Sequence, residues 1–172
     1  FTDGLSVAQG IKPLERNTPT VLNSAHQRWF FWDGRTDALW GQPVQTIEHP
    51  SEMNMSRMNA LEVIQKDELL STQWTSVFGT MDPQAVDANA MKMAKAIAAY
   101  ITQLVATDSP FDLFVGGDKD AITESAKRGL RFFISDGGCL RCHFGPWFTD
   151  GSFHSVGIPP LNGGPLTDSG RY

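Results

Sequence analysis

Residues 139–143 read Cys-Leu-Arg-Cys-His and contain both cysteines of this 172-residue chain. Two cysteines three positions apart, followed directly by a histidine, form the pattern of covalent c-type haem attachment. At this spacing each thiol can add to one haem vinyl group, and the tethered ring then lies where the next residue can bind the iron axially. The sequence therefore predicts Cys139 and Cys142 as thioether anchors and His143 as the proximal iron ligand.

Three other kinds of site use cysteines at this spacing. A thioredoxin-type redox pair is expected beside a βαβ pattern, and none is visible in this sequence. A structural zinc site needs four ligands, usually from two such pairs, and this chain has a single pair. A disulfide between cysteines three apart would close a very small loop. Haem attachment is the favoured interpretation, and it leaves no cysteine for a disulfide.

Charge and hydropathy exclude two classes of partner. The net charge of −5 argues against a nucleic-acid partner, because proteins that bind nucleic acids usually carry basic surfaces. No apolar run approaches the ~20 residues of a membrane-spanning helix. Because haem c is attached outside the cytoplasm, the motif predicts export, and we expect a periplasmic protein. The chain begins at Phe1 rather than at a methionine, and we interpret it as a piece of a longer protein.

The elements that must position this motif are helical. Apolar residues at helical spacing predict five helices, which begin near Ser56, Asp67, Asp87, Ser109 and Thr123. The clearest one runs from about Asp87, a candidate N-cap, to Val105. It carries Met91 and Met93, which we interpret as core residues rather than as iron ligands.

Between and around the helices the sequence predicts ordered loops. Residues 1–55 are rich in Gly, Pro, Asn and aromatic residues, and we expect loops with short helices there. The helix near Thr123 is expected to bury Ala126, Leu130, Phe133 and Ile134 and to deliver the chain to the haem motif. Residues 145–172 have no helical period. The predicted fold class is all-α, with cytochrome c-like lobes and long ordered loops that wrap the haem.

Several further segments resemble the bacterial di-haem cytochrome c peroxidases and their MauG-type relatives. The segments occur in family order and cover nearly the whole chain: Arg16–Thr20, Phe31–Arg35, Pro50–Met53, Ser109–Asp112, Gly138–His154 and Asp168–Arg171. The resemblance implies two lobes with one haem each, one peroxidatic and one for electron transfer. It assigns residues 1–106 to part of the N-terminal, peroxidatic lobe and residues 107–172 to part of the C-terminal, electron-transfer lobe. The first haem motif is expected just before Phe1.

The resemblance also implies roles for three side chains near a peroxidatic haem. Glu52 would move a proton between the two oxygens of bound peroxide, so that water becomes the leaving group. Gln42 would donate or accept a hydrogen bond in the same pocket. Trp32 would relay electrons between the haems. From the residues alone, Glu52 could equally be a charge at a helix N-terminus, Gln42 a loop residue and Trp32 a packing residue.

Asn17 and the histidines are assigned on the same resemblance. The resemblance matches Asn17 to a calcium ligand of the family. Its side-chain carbonyl suits Ca²⁺, although an asparagine before Thr-Pro could simply be a turn residue. His154 is expected at the haem edge or a propionate. His26 and His49 are interpreted as surface or packing residues. No histidine occurs in residues 1–25, where peroxidases of this family place a distal ligand, and this favours MauG-like or constitutively active members.

The sequence therefore predicts an exported di-haem c-type peroxidase that reduces hydrogen peroxide to water. Electrons would enter at the haem of Cys139, Cys142 and His143 from a small donor protein, such as a cytochrome c or a cupredoxin, and would pass by Trp32 to a peroxidatic haem. Bound Ca²⁺ is expected, and a homodimer is left open. The alternatives are a MauG-type haem oxidase that modifies a protein substrate and a monohaem c-type electron-transfer protein.

Overall fold

The computed structural model describes residues 7–159, 163–165 and 168–171 of the chain. Within these ranges the structure contains no strand, and its six helices are α1 Gly41–Glu48, α2 Arg57–Lys66, α3 Glu68–Phe78, α4 Val86–Ile101, α5 Pro110–Val115 and α6 Glu124–Ile134. Short 3₁₀ turns occur at Ser24–His26 and Cys139–Arg141. The predicted all-α fold class is confirmed. None of the described helices is both long and apolar enough to cross a membrane.

The chain divides into two compact units. The first runs as far as Leu104 and includes the segment that starts at Ser169, and the second spans Val105 to Asp168. The predicted assignment of residues 1–106 and 107–172 to two haem-binding lobes concerns domain function, and it stays a prediction.

Four helices build the core of the first unit. Ile47 of α1, Ala60 and Leu61 of α2, Trp74 of α3 and Met93 of α4 form one buried cluster. Two of these helices begin at the residues that the sequence indicates. The Ser56 hydroxyl accepts the Asn59 N–H at the start of α2, and the Asp67 carboxylate accepts the Leu70 N–H at the start of α3. Such side-chain caps satisfy N–H groups that have no partner within the helix.

The prediction that Met91 is a core residue is wrong, because Met91 is exposed. Met93 is buried, as predicted, whereas Met91 points away from the core because residues two apart on a helix lie on different faces.

The helix α4 also differs from its prediction at both ends. It begins at Val86, its preceding residue Ala85 makes no side-chain cap, and it ends at Ile101 rather than Val105. Asp87 does not cap the helix, because its carboxylate is instead bound to Arg57 at 2.8 Å.

In the second unit the helix starts follow the sequence closely. Ser109 and Asp112 form a reciprocal capping box at the start of α5, with Pro110 in its first turn. Thr123 caps α6 by accepting the Ala126 N–H at 3.1 Å.

The predicted burial along α6 is not observed. Ala126 and Ile134 are exposed, and no described residue of the unit (105–159, 163–165 and 168) is buried. Leu130 and Phe133 instead face a cavity.

Candidate functional site

The haem motif forms a single tight turn. Gly138, in the left-handed region at φ 65°, leads into the 3₁₀ turn Cys139–Arg141. The carbonyl oxygen of Cys139 accepts the N–H groups of both Cys142, at 3.2 Å, and His143, at 2.9 Å. This turn brings the two half-buried, unpaired thiols and the imidazole into one place, as haem attachment requires.

The His143 ring is oriented by a hydrogen bond. Its Nδ1 lies 3.0 Å from the carbonyl oxygen of Phe148, and since a carbonyl only accepts, Nδ1 carries the proton. The other ring nitrogen, Nε2, is then the unprotonated atom with a lone pair for a metal. Histidine ligands are commonly held by such a bond to a backbone carbonyl. The tautomer of His143 therefore suits a proximal ligand.

An apolar cavity of about 370 Å³ adjoins this imidazole. It is lined by His143 and five other residues: Phe111, Gly129, Leu130, Phe133 and Phe148. The Phe148 ring packs against Phe111 at 5.3 Å and Phe133 at 6.0 Å, both edge to face. Aromatic walls, an imidazole with a free Nε2 and two cysteine thiols within one turn fit haem c, and a large apolar ring would cover the side chains that the fold itself leaves exposed.

His154 lies outside this cavity, on the loop that follows it. Its Nε2 contacts the Asp150 carboxylate at 2.8 Å. A hydrogen bond from the Ser152 backbone, and next the one from His154, hold the pKa of the Asp150 carboxyl below its usual value. Ligand atoms of Asp150, His154 and Cys142 lie within 4.8 Å of one another. His154 is therefore near Cys142, and its contact with a haem edge or propionate stays a prediction.

A second cavity, of about 810 Å³, lies in the first unit. All four candidate residues predicted in this part of the chain line it, namely Asn17, Trp32, Gln42 and Glu52. His49, interpreted from the sequence as a surface or packing residue, lines it as well. The structure thus brings these side chains together, while their individual roles stay predictions.

Helix α1 supplies one wall of the second cavity. Gln42, Thr46 and His49 are spaced by about one helical turn and face it together. The helix ends at Glu48 because Pro50 disfavours helical backbone at the residue before it, and His49 accordingly has an extended ψ of 126°. The chain then turns, and the carbonyl oxygen of His49 accepts the Glu52 N–H at 3.0 Å.

The backbone at Glu52 is also held by residues 11 and 12, which the sequence did not single out. The Ile11 N–H donates to the Glu52 carbonyl at 3.0 Å, and the Lys12 N–H donates to the Ser51 carbonyl at 3.1 Å. The Glu52 side chain is only 17% exposed. No local pattern in residues 10–12 signals this role, because the pairing joins segments about forty residues apart in the chain.

Trp32 projects from a tight loop closed by a hydrogen bond from Phe30 N–H to Thr36 O at 2.9 Å. Its indole N–H donates to the Asn17 carbonyl at 2.7 Å. The residue is 59% exposed, and its role as an electron relay stays a prediction.

The loop is secured by Asp33, which binds Arg16 at 2.7 Å and Arg35 at 3.1 Å. Partial burial alone would raise the pKa of the Asp33 carboxyl. The hydrogen bond from Arg16, together with those from the backbone and side chain of Arg35, outweighs it and holds this pKa below its usual value.

Arg171 is a further contact to this loop that sequence reasoning missed. Its Nη1 donates to the carbonyl oxygen of the buried Gly34 at 2.8 Å, and its guanidinium lies 3.9 Å above the Trp29 ring. The loop that carries Trp32 is thus fixed by a cation–π contact as well as by ion pairs.

The Asn17 side chain has a local partner. Its Oδ1 accepts the Thr18 N–H at 2.7 Å, which is a contact of a turn residue. Its role as a calcium ligand stays a prediction.

Comparison with known proteins gives one family. The sequence matches the model of the di-haem cytochrome c peroxidases over residues 1–120. A methylamine utilization protein MauG from Methylorubrum extorquens is 38% identical over 164 residues, which are 94% of this chain and 45% of that protein. A cytochrome-c peroxidase, IdrP2, from Pseudomonas sp. strain SCT is 35% identical over 161 residues, which are 91% of this chain and 42% of that protein.

A solved structure resembles the fold at similar coverage. The diheme peroxidase BthA from Burkholderia thailandensis has a TM-score of 0.71 and 25% identity, covering 80% of this chain and 38% of that one. This chain therefore spans less than half the length of each of these three relatives.

Proposed function

Because this chain belongs to the di-haem cytochrome c peroxidase family, we propose that it forms part of an enzyme that reduces hydrogen peroxide to water. The observation that carries the proposal is the pair of Glu52 and Gln42 on the wall of one cavity. A carboxylate and an amide are the two kinds of group that peroxide cleavage needs, one to move a proton and one to hold an oxygen.

Haem c, when bound, supplies the redox chemistry of peroxide reduction. His143 is proposed to ligate its iron through Nε2, since the Phe148 carbonyl occupies Nδ1. Cys139 and Cys142 are proposed to anchor the ring, and Phe111, Leu130 and Phe133 to exclude water from its face.

In the second cavity, Glu52 is proposed to take a proton from one oxygen of peroxide and to return it to the other. The oxygen that gains the proton then leaves as water, and water is a better leaving group than hydroxide near neutral pH. Gln42 can donate from its amide nitrogen and accept at its amide oxygen, so it can orient either peroxide or the product water.

Trp32 is proposed to carry electrons toward this cavity. Support comes from its exposed ring and from the hydrogen bond to Asn17, which limits how far the indole can rotate. A small donor protein in the periplasm would supply the electrons at the haem of His143. Ca²⁺ near Asn17 remains part of this proposal.

A MauG-type oxidase that modifies a protein substrate is the second candidate. Two observations favour it. Residues 1–25 contain no histidine that could serve as a distal ligand of the peroxidatic iron, and a MauG protein is 38% identical to this chain. The electrons would then be taken from a protein side chain instead of from a small donor protein.

The first test is peroxide turnover by the natural full-length protein, matured with haem and assayed with a reduced small cytochrome c. Glu52→Gln should keep the haem content and lower turnover by roughly a hundredfold, as expected for loss of one acid–base group. Glu62→Gln is the matched control, because Glu62 lies on the exposed part of α2 and pairs only with Lys66 among the described contacts. Equal turnover in the Glu52 and Glu62 variants would refute the proton-transfer role.

A further inference from the structure

His49 lies beside Glu52 on the wall of the second cavity, with its Nδ1 3.8 Å from Glu52 Oε1. Resting on the function proposed above, we infer that His49 is the proton-relay residue that connects Glu52 with bulk water. It acts on the reaction through Glu52, and it does not need to touch peroxide.

The backbone sets both the position and the tautomer of His49. The Ser51 N–H donates to His49 Nδ1 at 3.2 Å, so Nδ1 carries no proton and the ring proton sits on Nε2. The contact with Glu52 is then not an ion pair in this form. The lone pair of Nδ1 is engaged by the Ser51 N–H, so Nδ1 exchanges a proton with the Glu52 carboxyl once the ring turns away from that N–H.

The distance of 3.8 Å is longer than a direct hydrogen bond. A small rotation of either side chain, or one bridging water, closes it, and catalytic contacts are often long until the substrate is bound. The turn keeps the two residues as neighbours, because the His49 carbonyl accepts the N–H groups of both Glu52 and Asn54.

Exposure gives the relay its direction. The Glu52 side chain is 17% exposed and the His49 side chain is 41% exposed. A proton from solvent therefore reaches His49 more readily than it reaches Glu52, and the imidazole can pass it inward because it binds a proton at either nitrogen.

The reaction needs such a supply. Reduction of one hydrogen peroxide to two waters consumes two electrons, which the reduced donor protein supplies, and two protons, which come from water. Glu52 alone can shuttle a proton between the peroxide oxygens, but it gains none in doing so. Each turnover must therefore bring protons into a pocket whose carboxylate is largely shielded.

Four other charged side chains line the cavity. They are Glu15, Arg16, Asp33 and Arg35. Arg16 and Arg35 are both bound to Asp33, and an arginine does not give up its proton at ordinary pH. Among the contacts of the described residues, the titratable side chain recorded beside the Glu52 carboxylate is that of His49.

The test uses His49→Asn in the full-length, haem-loaded protein. An asparagine Oδ1 can replace Nδ1 as the acceptor for the Ser51 N–H, so the turn is kept while the relay is removed. We expect unchanged haem content and absorption spectrum, about tenfold slower peroxide turnover, a larger solvent isotope effect in D₂O, and partial recovery with added acetate buffer as a soluble proton carrier. The matched control is His26→Asn, since His26 is exposed and does not line the cavity.

Three outcomes separate the possibilities. Unchanged turnover in His49→Asn would overturn the relay. Slower turnover with an unchanged isotope effect and no recovery in acetate would also overturn it, because a merely structural role predicts that pattern. Absence of peroxide turnover in the unmodified, haem-loaded protein would refute the proposed function itself, and with it the basis of the relay.

Discussion

Gly10 lies directly against the backbone of Glu52. A side-chain carbon at position 10 would come within 2.6 Å of the Glu52 Cα and closer still to the Ser51 carbonyl oxygen. Neither of these is a flexible side-chain atom that could move aside. Only glycine therefore permits the approach that lets Ile11 and Lys12 hold the turn carrying Glu52.

Gly10→Ala should consequently displace Glu52 while leaving the haem motif intact. We expect a loss of peroxide turnover of about tenfold, because small misplacements of an acid–base group slow catalysis strongly, with little change in haem content. Steady-state turnover and haem absorbance measure the two effects. Gly164→Ala is a suitable control, since a side-chain carbon there would meet nothing within 4 Å. Wild-type activity in Gly10→Ala would show that the turn can shift without moving the carboxylate.

The lowered pKa of the Asp33 carboxyl predicts a contribution to the free energy of unfolding that depends on pH in the acid range. Its pKa is held below the usual value in the folded state, so its stabilisation is present above the ordinary aspartate pKa of about 3.9 and is lost as the pH falls through the lower folded pKa. Asp33→Asn should lower the free energy of unfolding by about 1 kcal/mol at pH 7 and should flatten its dependence on pH in the acid range. Urea unfolding at pH 3 to 7 measures this. Asp108→Asn, which removes a carboxylate at an exposed position, is the matched control.

The two aspartates near helix starts should behave differently. Asp67→Ala removes the cap of α3 and should lower the free energy of unfolding by about 1 kcal/mol. Asp87→Ala removes only a solvent-exposed ion pair with Arg57 and should cost at most about 0.5 kcal/mol. Urea titration of both variants decides the order. A larger loss for Asp87→Ala would mean that the group formed by Arg57, Glu48 and Asp87 acts as a cooperative unit.

Trp32→Phe separates the aromatic ring of Trp32 from its hydrogen bond. Phenylalanine keeps an aromatic side chain but cannot donate to the Asn17 carbonyl, and it is harder to oxidise than an indole. We expect normal haem content and slower oxidation of the haem of His143 after peroxide is mixed with the reduced protein. Stopped-flow absorbance follows this step. Trp40→Phe is the control, because Trp40 does not line the cavity. Equal rates of haem oxidation in the two variants would refute the role of Trp32 in electron transfer.

Local interactions explain what the sequence could predict. The caps at Ser56, Asp67, Ser109 and Thr123 bind N–H groups three residues later in the chain. Both partners of each cap therefore lie within a short stretch of sequence and can be recognised there. The same holds for the haem motif, whose turn lies within five residues.

Long-range contacts explain what the sequence could not predict. Aspartate is a residue type that often caps helices, but the carboxylate of Asp87 binds Arg57, which lies thirty residues earlier in the chain. Gly10 and Arg171 act on backbone atoms of distant segments, and the residues next to them in the sequence do not indicate these partners. The place of His49 on the cavity wall could not be predicted for a related reason: it depends on the turn made by Pro50 and on the pairing of residues 10–12 with residues 51–52.

The absence of any buried residue among the described part of the second unit has a consequence for proteolysis. A segment without a core of its own has little to resist local opening, and opened segments are the ones that proteases cut. A haem ring seated against Phe111, Leu130 and Phe133 would cover these side chains. We therefore expect the haem-loaded protein to resist limited proteolysis between residues 105 and 159 more than the haem-free chain does.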